Sequence, residues 1–343
     1  MQFQKKLTII SCFILALGLA ACSQANLTNK IIEDQWGQSA HNDSASKSFT
    51  HWDNENPPVI PEQCAKCHST FGYLNFLGED GSTPGQVDMP SPVGTTIECD
   101  VCHTSIAVSR DFAVKPSGAM ITRLGQESNC MECHQGRASS KQILEAIAGL
   151  PVDTVNAGLS LPNPHNNAAG ATFYGTTAQG GGEYAHQVYI TKFYHGFDSC
   201  ITCHDSHTLE VNVENCSACH LGATTIEGVR NIRLSKIDYD GDGDISEGLS
   251  GEIETMQEKL LTMIRLYAAT TEDVDLIEYR GLFVHENGEE YATWTPRLLQ
   301  AAYNYEFVVK DPGSYSHNPK YIMQLLYDSI ENLGGDTRGM SRP

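Results

Sequence analysis

The sequence predicts a mainly α chain with extensive irregular structure: a cofactor-packed region over residues 49–225, then a small helical bundle over residues 226–343. Three observations predict it. All but two of the twelve cysteines fall in five copies of one short motif, confined to residues 64–220. The peptide around those motifs is rich in Gly, Pro, Asn and Thr and has little apolar periodicity, so it cannot build an ordinary core alone. The 123 residues after the last motif contain no cysteine and carry three segments with helical apolar spacing.

The chain has 343 residues, of which 40% are apolar and 19% charged, enough for one large domain or two modest ones. Lys and Arg number 22 against 42 Asp and Glu, a formal charge of −20. Such a surface repels a phosphate backbone, which argues against nucleic acid as a partner.

Residues 1–21 read as an export signal, with Lys5 and Lys6 as the positive n-region and Leu7 to Ala20 as the apolar h-region. Leu19-Ala20-Ala21-Cys22 resembles the lipobox of bacterial lipoprotein precursors, which implies cleavage before Cys22 and a lipid on that cysteine. An uncleaved anchor is the alternative, disfavoured because the h-region is shorter than the ~20 residues of a spanning helix. Ser23 stands where inner-membrane retention has an aspartate, which by the same resemblance favours the outer membrane. Removal of the signal takes away two lysines and no acid, so any membrane link comes from the acyl chains. Residues 22–48 are read as a flexible tether.

The repeated motifs are Cys64-Ala-Lys-Cys67-His68, Cys99-Asp-Val-Cys102-His103, Cys130-Met-Glu-Cys133-His134, Cys200-Ile-Thr-Cys203-His204 and Cys216-Ser-Ala-Cys219-His220. At this chain's own Cys and His frequencies, chance would supply about 0.02 such matches. C-x-x-C-H is the attachment site of c-type haem. Thiols three residues apart share one side of a helical turn, where each can add to a haem vinyl group. The next histidine then turns its imidazole to the iron as proximal ligand. Zinc ribbons and disulfides do not require that histidine, and thioredoxin-like sites need a βαβ context that is not evident. Residues 49–225 are therefore read as a haem-packed domain with five covalent haems c, and the chain without haem should fail to fold there.

Five proximal histidines leave His41, His51, His165, His186, His195, His207, His285 and His317 for the opposite faces. Eight candidates exceed five positions, so full bis-histidine ligation is available. Methionine is the usual rival ligand, but Met131 lies inside the third motif, and Met256, Met263 and Met323 lie on apolar helical stripes. All four are read as core. His207 is only three residues beyond His204, too near to reach round the same haem, and should serve a neighbouring iron. His195, five residues before Cys200, invites the same argument. The fourth and fifth motifs start sixteen residues apart, so their haems should be close. His41 and His186 are read as solvated side chains.

The sequence resembles the multihaem c-type cytochromes exported to the outer surface of metal-reducing bacteria, some of which assemble into extracellular haem filaments. The resemblance runs from about residue 49 to the C-terminus. It rests on His51-Trp52, Gly72-Tyr73 with Phe76-Leu77-Gly78, Cys130 to Arg137, Asn163-Pro164-His165 with Ala168 to Ala171 and Tyr174-Gly175, His195 to His207, and Ala301 to Ile330. It implies long-range electron transfer through low-potential, mostly bis-histidine haems. It favours His51, His165, His195, His207 and His317 as distal ligands and leaves open which serves which haem.

The segment Asp238-Tyr-Asp240-Gly-Asp242-Gly243-Asp244-Ile245-Ser246-Glu247 resembles the start of an EF-hand calcium loop. Carboxylates at its first, third and fifth positions converge on a hard cation, and Gly243 permits the sharp turn. The twelfth position is Leu249, where a bidentate glutamate belongs; Glu247 or Glu252 could substitute. Asp238, Asp240, Asp242, Asp244 and Glu247 are the candidate ligands of a calcium ion acting as a structural clip between domains, and a solvated acidic turn is the alternative. Beyond the 238–249 loop, Gly251 to Ala269 reads as a helix. A second helix starts at Thr295-Pro296, and a third starts at Asn318-Pro319 and stops near Gly334-Gly335. The Gly180-Gly181-Gly182 run reads as a loop without a phosphate-cradling pattern.

The reading that joins these features is an electron carrier, not an enzyme. It is an outer-membrane lipoprotein facing periplasm or cell surface, passing electrons between other redox proteins and extracellular acceptors. A multihaem reductase would need one iron with an open position, and no C-x-x-C-K motif appears. Self-assembly as a filament subunit and a calcium-dependent scaffold are the further alternatives.

Overall fold

The structure is a computed structural model that describes residues 28–196, 199–271, 275–279, 282–285 and 287–343. The export signal, the lipobox and Cys22 lie outside them. Among the described residues the chain is mainly helical with long irregular stretches and three two-stranded antiparallel ladders. No helix among them is long and apolar enough to cross a membrane.

Each cysteine motif overlaps a short helix: Glu62–His68, Asp100–His103, Glu127–Cys133, Cys200–Cys203 and Val213–Ser217, the last reaching only the first cysteine of its motif. One turn is all that the C-x-x-C spacing needs to set two thiols on one side. After the first motif the Ser69 hydroxyl accepts from the Gly72 amide at 3.3 Å, starting the helix Thr70–Leu77, which ends at left-handed Gly78. A Cβ on Gly72 would lie 2.2 Å from the Ala65 carbonyl oxygen, so only glycine lets these two helices pack this closely.

The chain divides into two compact units. One comprises the described residues of Met1–Ile106 together with His204–Val211; the other comprises Ala107–Cys203 and Asn212–Pro343. The fourth motif is thus split, its thiols in the second unit and His204 in the first. In the first unit, residues 28–37 are helical where a flexible tether was expected. The tryptophan of that segment fastens it, since Trp36 Nε1 donates to the Ile97 carbonyl at 3.0 Å.

In the second unit three long helices follow the calcium-like loop: α1 (Leu249–Thr271), α2 (Pro296–Val309) and α3 (Pro319–Asn332). The Thr295 hydroxyl accepts from the Leu298 amide at 3.2 Å and Asn318 Oδ1 from the Tyr321 amide at 3.3 Å, each cap followed by proline at the first helical position. The helices pack pairwise on one another and bury Met256, Leu260, Ile264, Leu298, Leu299, Leu325, Leu326 and Ile330. The same core takes in Ala138, Ile143, Leu159, Ala168, Ala171 and Tyr189 from earlier in the chain. Three helices leave faces that earlier chain must fill.

The triple glycine is one such filler. Tyr303 donates to the Gly180 carbonyl at 2.7 Å, the Gly181 amide to the Tyr321 hydroxyl at 3.1 Å and the Gly182 amide to Asn304 Oδ1 at 2.6 Å. A Cβ on Gly181 would lie 2.2 Å from Leu325 Cδ1. The run is a loop, as expected, but a buried one laid across α2 and α3. Two hairpins had no counterpart in the periodicity: Phe112–Val114 with Met120–Thr122, and Leu276–Tyr279 with Leu282–His285.

Candidate functional site

All ten motif cysteines are unbridged, with Cys99, Cys102 and Cys219 exposed and the others half-buried. Within the second unit the third motif, the thiols of the fourth and the fifth motif are neighbours. The Cys130 and Cys200 thiols share a hydrogen bond that pulls Cys130 below the usual thiol range and pushes Cys200 above it. Asn215 Nδ2 donates to the Thr202 carbonyl at 2.6 Å and the Asn212 amide to that of Cys203 at 2.8 Å, tying the fourth motif to the fifth.

Two pairs of histidines distant in sequence bring their rings close together. In the first unit the rings of His103 and His207 have centroids 6.2 Å apart with planes 7° from parallel. In the second, His195 and His220 are 6.0 Å apart with planes at 21°. A metal–imidazole bond is about 2.0–2.1 Å and a ring nitrogen lies about 1.1 Å from its centroid, so two imidazoles on opposite faces of one metal have centroids about 6.2–6.4 Å apart. Both pairs lie within about 0.4 Å of that spacing, and each contains one motif histidine and one from outside the motifs. His207 is positioned by the turn after the fourth motif, where Asp205 Oδ1 accepts from the amides of His207 (2.9 Å) and Thr208 (2.8 Å).

Other motif histidines are held through Nδ1. His68 Nδ1 lies 2.8 Å from the Ser48 carbonyl oxygen and His204 Nδ1 3.2 Å from that of Leu209. Donation from Nδ1 to a carbonyl sets the tautomer whose lone pair is on Nε2, the arrangement that orients a metal-ligating imidazole. Trp52 packs edge-on against both His51 (4.9 Å) and His68 (5.3 Å), placing His51 beside the first motif. His317 Nδ1 lies 2.8 Å from Asp311 Oδ1. Burial lowers the His317 pKa, but the Asp311 carboxylate more than offsets this and holds it above the ordinary value.

His165 adopts left-handed backbone, φ +70°, with its amide donating to Asn163 Oδ1 at 2.8 Å. His186 is exposed, whereas His41 is half-buried, its carbonyl accepting from the Ile97 amide at 3.1 Å. His285 packs on Tyr291 at 5.1 Å. Met131, Met256 and Met323 are buried in the core.

The peptide around the motifs also fits a large apolar partner. Phe71, Ile106, Phe112, Met120, Ile201 and Leu221 are all exposed, though each lies within a few residues of a motif or on the hairpin that packs on the third one. In that hairpin Ala113 and Ile121 face inward while Phe112, Val114, Met120 and Thr122 face outward, so the outer face is apolar but for Thr122. A water-facing ladder alternates apolar with polar residues. Haem faces are the apolar surfaces that thiols and histidines in this pattern would bring.

The acidic loop lies in the second unit. Asp238 accepts from the Gly241 (2.6 Å) and Gly243 (2.9 Å) amides, Asp240 Oδ1 from the Asp242 amide (3.0 Å), and Asp242 Oδ1 from the Asp244 amide (2.6 Å). Gly243 has φ +92°, as the turn requires. Carboxylate oxygens of Asp238, Asp240 and Glu252 lie within 4.8 Å of one another, as do those of Asp240, Asp242 and Glu247. Asp244 joins neither group and accepts from the amide and hydroxyl of Ser246 instead. Burial, and after it the neighbouring carboxylates, push Glu247 up to about 7; burial does the same to Asp240, up to about 6. Glu252, one of two substitutes for the missing twelfth-position glutamate, is already engaged: Oε2 accepts from the Tyr239 and Asp240 amides at 2.9 and 2.8 Å, and Oε1 pairs with Arg233.

Over 84% of its length the chain is similar, at 22% identity, to the C-type polyheme cytochrome OmcB of Geobacter sulfurreducens, of which it covers 46%. It is similar at the same identity, also over 84% of its length, to the C-type polyheme cytochrome OmcC of the same organism, of which it covers 45%. The chain spans about half the length of the curated relatives it matches. No family model matches the sequence, and no solved structure matches it. With five C-x-x-C-H motifs in place, this similarity supports a relationship to the multihaem c-type cytochromes.

Proposed function

We propose that the chain is a pentahaem c-type cytochrome, exported and lipid-anchored at the outer membrane through Cys22, that carries electrons between other redox proteins and extracellular acceptors. Haem iron supplies the chemistry when bound, gaining and losing one electron. The chain's residues hold and orient it. Cys64, Cys67, Cys99, Cys102, Cys130, Cys133, Cys200, Cys203, Cys216 and Cys219 form the thioether links. His68, His103, His134, His204 and His220 are the proximal ligands.

The observation that carries the reading is the spacing of the two histidine pairs. It supports His207 as the distal ligand opposite His103 and His195 as the distal ligand opposite His220. His51, His165 and His317 remain for the other three irons. A histidine on each face closes an iron to substrates and leaves electron transfer as its use.

A pyridine haemochrome assay on protein matured with a haem-ligation system should count five haems per chain; fewer would sink the reading. His207→Ala and His195→Ala should each keep five haems and each gain one carbon monoxide site in the ferrous state. Variants that bind no more carbon monoxide than the parent would break the pairing.

A further inference from the structure

We propose that the loop over residues 238–248 holds one calcium ion, with carboxylates from Asp240, Asp242 and Glu247 as its side-chain ligands, and that the ion fastens the loop to the first turn of α1. The site goes beyond electron transfer and does not depend on how many haems the chain carries.

The acidic pattern alone would be a solvated turn. What distinguishes it is a buried carboxylate oxygen with nothing to bond: Asp240 is 2% exposed, and its Oδ2 has no hydrogen-bond partner. Glu247 Oε1 is likewise buried without a partner. Asp240, Asp242 and Glu247 bring ligand oxygens within 4.8 Å of one another. A buried carboxylate oxygen without a donor is costly, and three carboxylates converging on one point repel, unless a cation lies between them. Oxygen-only ligands suit calcium, which takes 6–8 oxygens; magnesium demands a tighter octahedron and keeps more of its water.

The structure also selects the glutamate. Glu252 spends its oxygens on two amides and Arg233, so it braces the loop from behind. Glu247 instead folds back over the start of α1, where a Cβ on Gly251 would lie 1.9 Å from its Oε2. Glycine at 251 therefore leaves the room that Glu247 occupies.

Chelator-stripped holoprotein titrated with calcium in a calorimeter should take up one equivalent, and magnesium should bind at least about tenfold more weakly. The Asp240→Asn/Glu247→Gln double variant should lose that equivalent while its haem absorbance is unchanged. Gly251→Ala, which displaces Glu247 but removes no charge, should weaken calcium by about tenfold. Wild-type protein that binds no calcium overturns the proposal without any variant. So does uptake that survives in the double variant, which would place the ion elsewhere, or a preference for magnesium.

Discussion

The motif-bearing stretch and the three C-terminal helices solve the problem of burial differently. In α1, α2 and α3 the peptide supplies both sides of its own core: Met256, Leu260, Ile264, Leu298, Leu325 and Ile330 are fully buried against side chains. Around the motifs the helices run to a turn or two, and Phe71, Phe112, Met120, Ile201 and Leu221 face outward. One region is finished by its amino acids. The other presents thiols, imidazoles and exposed apolar side chains, which the proposed haems would finish. Covalent attachment would make that economical, because a cofactor held at two thioethers needs no enclosing pocket.

The contrast breaks most sharply if haem is withheld. Protein made without haem ligation should keep amide-exchange protection in α1, α2 and α3 and lose it over the motif helices and the hairpin at residues 112–122. The loss should be largest over Cys200–Cys203 and Val213–Ser217, which bury no side chain, and smaller around the Ala113, Ile121, Leu124 and Met131 cluster. Native-like protection around all five motifs without haem would erase the distinction.

A smaller effect, confined to the self-sufficient side, comes from truncating its core. Leu325→Ala should cost about 2–5 kcal/mol by chemical denaturation, because the side chain is fully buried between helices and lies on the triple-glycine run. The haem count of the folded variant should stay at five. A cost near zero would mean that the helices are not the load the sequence pattern assigns them.

How far each region could be read in advance follows from the same difference. Local rules wrote the helix starts: Thr295-Pro296 and Asn318-Pro319 each carry a cap and an N1 proline, and both helices begin there. The C-x-x-C-H spacing is likewise local, and a short helix overlaps every copy. The partner of His103 is not local. His207 lies more than a hundred residues on, and only the path of the chain through 204–211 brings the two rings together. The burial of Gly180 to Gly182 was hidden because glycine carries no hydrophobic signal, and the need for it arises from Phe307 and Leu325 on helices far along the chain. The 112–122 hairpin escaped because its outer face too is apolar but for Thr122, which removes the alternation that marks a strand.

That hairpin offers the finest test of the contrast. Phe112 is 38% exposed, with Arg110 over one face of its ring at 4.5 Å. On a surface that only water covers, Phe112→Ala should change stability by no more than about 0.5 kcal/mol. If the third haem covers the outward face of the hairpin, the same truncation removes apolar contact from both partners and should cost about 1–2 kcal/mol in holoprotein. Denaturant unfolding with all haems in place decides between these values, and Phe112→Leu, which keeps an apolar side chain there, should recover most of the loss. Indifference to both substitutions would mean that this apolar face is bare, and that the motif region is less completed by haem than its exposed side chains indicate.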